Sequence, residues 1–259
     1  MKFEHIFLTI VIILNSFYLN AETIGIADNH APISVHGDHM HKKNEFMFSY
    51  RKSHMLMSQV KSGKTDMQID EIMSAPNYAS DGSGTYMNAP TEMTMDMHMF
   101  GAMYAPSDSI TLSLMSNYSR KEMTQQRMAM SGSARFDVKS SGLGDTKITA
   151  LIKIINNEEV KSHLGVGLSI PTGSIDQRDS TPASSDTRLG YGMQNSSGTF
   201  DPYVFSSNTR DFGRVKVGGQ IYFKMPSSGK NVKGYQYGDT FITTFWPSYR
   251  WATYLSTSL

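Results

Sequence analysis

The sequence predicts an all-β fold: an antiparallel, up-and-down transmembrane β-barrel of at least eight strands, with more in the complete protein. Three observations predict it. Apolar and polar residues alternate with a period of two, in blocks of about ten residues, the length a tilted strand needs to cross a bilayer. Short and long connections alternate along the chain, as in outer-membrane barrels. Beyond the N-terminal segment no run of 18 consecutive apolar residues occurs. A membrane-embedded chain of this kind therefore crosses as strands, because hydrocarbon tolerates only helices and closed barrels.

Residues 1–21 read as a cleaved signal peptide. Lys2 supplies the positive start, residues 6–14 the apolar stretch and Ala21 the small residue at the cleavage point. Residues 22–43 read as a His-rich periplasmic lead-in, and 44–259 as the barrel. Expected strands span 44–58, 91–104, 109–127, 144–155, 160–170, 198–209, 212–224 and 239–250. Residues 252–259 look like a ninth, half-finished strand, which suggests C-terminal truncation, since single-chain barrels have an even strand count.

The clearest alternation lies in residues 160–170, where Val160, Leu164, Val166, Leu168 and Ile170 oppose Lys161, His163, Gly165, Gly167 and Ser169. Ile148, Ala150, Ile152 and Ile154 oppose Lys147, Thr149, Leu151 and Lys153. Val215, Val217, Ile221 and Phe223 oppose Arg214, Lys216, Gln220, Tyr222 and Lys224. Ile110, Leu112 and Leu114 oppose Thr111, Ser113 and Met115. Short connections are expected at 105–108, 156–159, 210–213 and 251–253. Long ones are expected at 59–90, 128–142, 171–197 and 225–238. Tyr50, Tyr104, Tyr118, Tyr203, Tyr249 and Trp251 near strand ends suit interfacial girdles. Glycines within strands read as bulges or bends.

The chain has 259 residues, no cysteine and a formal net charge of +1. Zero cysteine excludes disulfides, thiolate metal sites and cysteine nucleophiles, and the near-neutral balance gives no field for nucleic acid. No G-x-S-x-G elbow, G-x-G-x-x-G turn or P-loop is present. A non-enzyme is expected. His163 would be the natural base of a hydrolase on the barrel wall, but no motif accompanies it.

The stretches DHMHKKNEFMFSYR (38–51), MYAPSDSITLSLM (103–115), GLGDTKITAL (142–151) and LSIPTGSID (168–176) resemble a family of bacterial outer-membrane "transporter" barrels. That family is labelled as the putative MetA-pathway of phenol degradation. The resemblance covers about residues 30–259 and implies an outer-membrane barrel linked to uptake of aromatic compounds. It implies no catalytic residues.

Three readings of function follow. The first is passive passage of small, aromatic solutes across the bacterial outer membrane, with lipid and solute as the only partners. Its expected lumen groups are Arg51, Asp96, His98, Lys147, Lys153, Lys161, His163, Arg214, Lys216 and Lys224, with Glu45, Glu92 and Asp145 offsetting part of the charge. Asp96 and His98 are set inward because a lipid-facing carboxylate is costly near the bilayer centre. Met93, Met95, Met97 and Met99, on the opposite face of the same strand, then meet lipid. The second reading is metal handling. His36, Asp38, His39 and His41 bring nitrogen and oxygen donors within six residues, which suits copper or zinc. The third is a structural barrel whose long loops carry contacts.

Overall fold

The computed structural model describes residues 30–33, 35–77, 83–129, 132–227 and 229–259; the signal-peptide expectation lies outside them. The fold is all-β. One antiparallel sheet of ten strands carries it, in the order β1-β4-β5-β7-β8-β11-β12-β13-β14, with β6 paired to β5. Its strands are β1 (Phe46–Ser58), β4 (Asn88–Ser107), β5 (Ile110–Ala129), β6 (Gly132–Leu143), β7 (Thr146–Asn156), β8 (Val160–Ile170), β11 (Asp201–Asp211), β12 (Val215–Lys224), β13 (Thr240–Ala252) and β14 (Leu255–Ser258). Two small hairpins sit in long connections: β2 (Val60–Ser62) with β3 (Thr65–Met67), and β9 (Arg178–Thr181) with β10 (Ser184–Arg188). One short helix, α1 (Ile69–Ser74), follows β3. No helix among the described residues is long and apolar enough to cross a membrane.

The register explains the two faces. Phe48, Ala102, Leu114, Ile148 and Leu168 are successive partners across β1, β4, β5, β7 and β8. Val166, Val204, Phe223 and Phe241 continue one row lower through β8, β11, β12 and β13. Because side chains alternate with period two, all of these point to one side. That side is the solvent-exposed one, and Phe48, Leu114, Ile148, Val166, Val204 and Phe241 lie bare on it. The opposite rows hold Arg51, Met99 and Asn117, then Met115, Lys147, Ser169 and Asp201, then Thr149, Gly167, Tyr203 and Lys224. A sheet that is apolar outside and polar within inverts the soluble pattern.

The sheet curls into a half-barrel, bringing Arg51 of β1 and Lys224 of β12 to one cavity. It is open among the described residues, with β1 at one edge and β14 covering only the Ser248–Ala252 end of β13. β5 is longer than β6 and β7, which share its far edge. Its first half pairs with β7 and its second with β6, the two meeting around Gly144 and Asp145. Residues 132–143, expected within a long loop, are therefore strand. Phe136 and Val138 pack inward there, against Met123, Leu189 and Met193.

Strand glycines answer to the packing of inner aromatics rather than to bulges. Gly165 faces Phe205, Gly167 faces Tyr203 and Gly218 faces Trp246 across paired strands. A Cβ on any of the three would overlap the partner ring. Each ring folds over the glycine opposite, the pairing known as aromatic rescue. Tyr203 is consequently buried inside the sheet, with its hydroxyl 2.6 Å from Thr149 Oγ1, and not in the girdle expected for it. Tyr50, Tyr118 and Trp251 do stand exposed on the outer surface. Gly167→Val should lower stability by about 1–3 kcal/mol through overpacking. Urea unfolding of the detergent-refolded protein, followed by tryptophan emission, would show a lower midpoint; an unchanged midpoint would refute the pairing.

Candidate functional site

Residues 30–33 and 35–43 do not trail away from the sheet but fold into its concavity as a loop. The chain reaches in, buries Val35, and returns through His36 and Gly37 to Asp38. Arg51 Nη1 holds the tip, donating to Ile33 O (2.9 Å), Val35 O (3.2 Å) and His36 Nδ1 (2.9 Å). Gln220 Nε2 donates to His36 O at 2.9 Å, and His163 Nε2 donates to Gly37 O at 2.7 Å. Gly37 takes φ +64°, and a Cβ there would sit 2.7 Å from Phe205 Cζ, so glycine is required twice over. His41 N donates to Thr111 Oγ1 and Lys43 N to Asp108 Oδ1, which fastens the exit at the short-turn end of the sheet.

A second segment closes the far end. Residues 171–200 carry β9, β10 and a 3-10 turn at Tyr191–Met193. Lys121 Nζ donates to Gly192 O and Gln194 O, Ser140 Oγ to Met193 O, and Gln194 Nε2 to Leu189 O. Between the loop and this cap lies a cavity of roughly 560 Å³, whose walls include Arg51, Lys147, Lys224, Met97, Met99 and Asn195. A neighbouring cavity of roughly 270 Å³ shares His36, Met115, Lys147 and Lys224 with it and adds Tyr203, Phe205 and Tyr222. Tyr203 and Tyr222 stack at 5.5 Å, and Lys147 Nζ lies 5.8 Å and 5.9 Å from their ring centres, within cation–π reach. Asp145 is the one carboxylate on the larger cavity wall, and Ser196 and Ser197 already hydrogen-bond it. Lys224 is 3.4 Å from the fully buried Asp201. The combined chamber is basic, aromatic and rich in thioethers.

Most of the expected lumen groups fall where the alternation put them. Arg51, Lys147 and Lys224 line the chamber. Lys153, Lys161, His163 and Lys216 line a third cavity, of roughly 180 Å³, at the short-turn end. The remaining expectations are corrected. Arg214 lies exposed in the β11–β12 turn, where its carbonyl accepts from Arg250 N, because β12 begins one residue later, at Val215. Asp96 and His98 point outward, as does Glu92. Asp96 accepts from His54 at 2.9 Å, and His98 meets Tyr50 at 2.7 Å on that outer surface. Met93, Met95, Met97 and Met99 point inward instead, in register with Met57, Met55, Ser53 and Arg51.

The reason for that reversal is length. β4 runs 20 residues, about twice what a bilayer needs. Its first half, with Asp96, extends beyond the apolar band. Charged neighbours surround it on the outer face, among them Lys139 with Glu122, their charged atoms 2.8 Å apart. An outward carboxylate there sits among other charged side chains, so the alternation does not have to turn Asp96 inward.

The metal-ligand set is also revised. His36 Nδ1 accepts from Arg51, which has no acceptor to offer, so the ring is neutral at that nitrogen. Burial, with Arg51 and then Lys147 nearby, pushes its pKa down to about 4, although Asp38 works the other way. A ring held between two cations is a poor cation ligand. His30 takes its place. His30, Asp38 and His39 each offer a ligand atom, all within 4.8 Å of one another. His41 lies beside them, its ring 4.9 Å from that of His39 and its Nδ1 3.6 Å from Glu45 Oε2. Burial raises the Asp38 pKa, but hydrogen bonds with His30 and His39 outweigh it and hold the carboxyl below its usual range.

No family model matches this chain, and no curated protein matches it.

Arg51→Ala should release the tip of the loop, since charge-assisted hydrogen bonds contribute about 1.5–3 kcal/mol each. Limited trypsin cleavage at Lys42 and Lys43 should then run several-fold faster than in the unchanged protein, whereas equal rates would show that Arg51 does not anchor the loop.

Proposed function

We propose that this protein is an outer-membrane barrel protein that passes small organic solutes, aromatic anions foremost, by diffusion through a side-chain-lined lumen. The observation that carries the reading is the chamber. Arg51, Lys147 and Lys224 supply positive charge, Tyr203 and Tyr222 supply ring faces, and Met97, Met99 and Met115 supply polarisable apolar surface. An aromatic carboxylate or phenolate has a complementary pair of parts. A charged end meets the basic groups and a flat apolar body meets the rings and thioethers. The resemblance of residues 38–51, 103–115, 142–151 and 168–176 to the phenol-pathway barrels points the same way.

The outward apolar band supports the membrane setting. Open β1 and β13 edges cannot face hydrocarbon with unpaired backbone groups. Closure therefore requires β1 to pair with a further strand, from this chain or another copy. The loop of residues 30–43 makes the lumen a gated chamber rather than an open bore.

The test is conductance of the refolded protein in planar bilayers, with sodium benzoate as the solute probe. Anion-preferring current that benzoate reduces is expected. Lys147→Glu with Lys224→Glu should reverse the preference and abolish the benzoate effect. Cation preference in the unchanged protein, or no response to the double substitution, would overturn the reading. On the outer face, Val166→Arg should destabilise folding into vesicles by about 2–4 kcal/mol, the midplane penalty for arginine. Asp96→Asn, beyond the band, should change it by less than about 1 kcal/mol. Equal effects from the two would contradict the membrane placement.

A further inference from the structure

The two ends of the loop meet at a neck. Ala31 N donates to Asp38 Oδ2 at 2.9 Å, seven residues apart, and His30 Nδ1 lies 3.7 Å from the same oxygen. His39 Nδ1 lies 2.9 Å from Asp38 Oδ1, and the His30 and His39 rings meet edge to face at 4.6 Å. Asp38 is 6% exposed, so this carboxylate is buried between two imidazoles. His39 Nε2 is buried and meets no hydrogen-bond partner in the protein. A buried imidazole nitrogen without a partner is unfavourable. Beside the neck opens the 180 Å³ cavity, which His41, Glu45 and His163 also line.

We infer that this neck binds one divalent late-transition ion, Cu²⁺ or Zn²⁺, through His30, Asp38 and His39, and that the ion clips the loop shut across the lumen. Two imidazoles and a carboxylate are a donor set that both ions accept, with the cavity supplying an open fourth position. Metal–ligand bonds of about 2.1 Å place tetrahedral ligands about 3.4 Å apart. The present spread of up to 4.8 Å closes with ring movements of about 1 Å. His30 is 60% exposed on its side chain, so its ring lies at the open side of the neck. Lys153, Lys161 and Lys216 on the far wall lower the affinity without occupying the neck. Binding that requires both ends of the loop stabilises its docked state by mass action. The site thus couples metal occupancy to closure of the chamber.

Trp246 lines the same cavity and is buried, whereas the other tryptophan, Trp251, is exposed. The full chain carrying Trp251→Phe, refolded in detergent, therefore reports on the neck alone. Addition of CuSO₄ should quench Trp246 emission saturably, at one equivalent and tighter than about 0.1 mM. ZnCl₂, which competes without quenching, should restore the emission. Asp38→Asn and His39→Gln should each weaken the effect at least about tenfold. His98→Gln should leave it unchanged, since that ring lies on the outer surface against Tyr50. Heat-modifiable migration verifies that each variant is folded. A variant that fails it is replaced by His30→Gln, whose ring is exposed, and the same tenfold loss is expected. Absence of quenching below 0.1 mM, quenching that survives in the folded ligand variants, or equal loss in His98→Gln would each overturn the assignment.

Discussion

The structure depends on strand register with a strict two-residue alternation. Each backbone pairing in the main sheet fixes which side every side chain takes, and a slip of one residue would move the whole apolar set inward. From Phe48 through Leu114 and Ile148 to Leu168, the outward row is continuous across five strands. The inward rows are continuous too, and they collect the lysines, tyrosines and methionines. Burial inside this sheet is accordingly burial of polar groups. Several of these groups pair with one another or with the chain that fills the concavity: Thr149 with Tyr203, Gln220 and His163 with the loop carbonyls, Asp201 with Thr199 and Lys224.

That polar interior explains why the N-terminal loop and the 171–200 segment enter it. Each brings backbone carbonyls to donors that the strands aim inward, such as Arg51 and Lys121. Each also buries a few apolar side chains, Val35 from the loop and Leu189 and Met193 from the 171–200 segment. Of the carboxylates near the chamber, Asp145 is engaged by two serines while Asp201 offsets Lys224, which leaves Arg51 and Lys147 as its main positive groups. Positive charge, aromatic area and loop position therefore meet in one place, around His36 and Lys147.

Much of this was legible in the sequence. Lys147, Lys153, Lys161, His163, Lys216 and Lys224 stand where the alternation set them, because their strands are short and cross the apolar band completely. β4 misled because its alternation extends twice as far as the band. The expectation for Asp96 treats the whole strand alike, although the outer face of its first half carries charged side chains. The length of the unbroken alternation from 88 to 107 was the available signal. Ala134, Phe136 and Val138 alternate with Arg135, Asp137 and Lys139, and that pattern marked β6, although it lies in a stretch read as loop. His30 had no sequence signal, since only the return of the chain at Ala31 and Asp38 brings it to His39. Glycines 165, 167 and 218 read as backbone features, while their partners Phe205, Tyr203 and Trp246 are known only once the strands are paired.

The central claim is the orientation of the sheet in a bilayer, and the absence of cysteine allows a direct measurement of it. Single cysteines at Leu112, Ile148 and Val166, and at Ser113, Lys147 and Met97, can carry nitroxide labels in protein refolded into vesicles. Spin relaxation by oxygen, which partitions into lipid, and by a water-soluble nickel chelate then reports each position. The account predicts oxygen-dominated relaxation at 112, 148 and 166, and chelate-dominated relaxation at 113, 147 and 97. Loss of that alternation, or its reversal, would contradict the inverted face on which the chamber and the loop both rest.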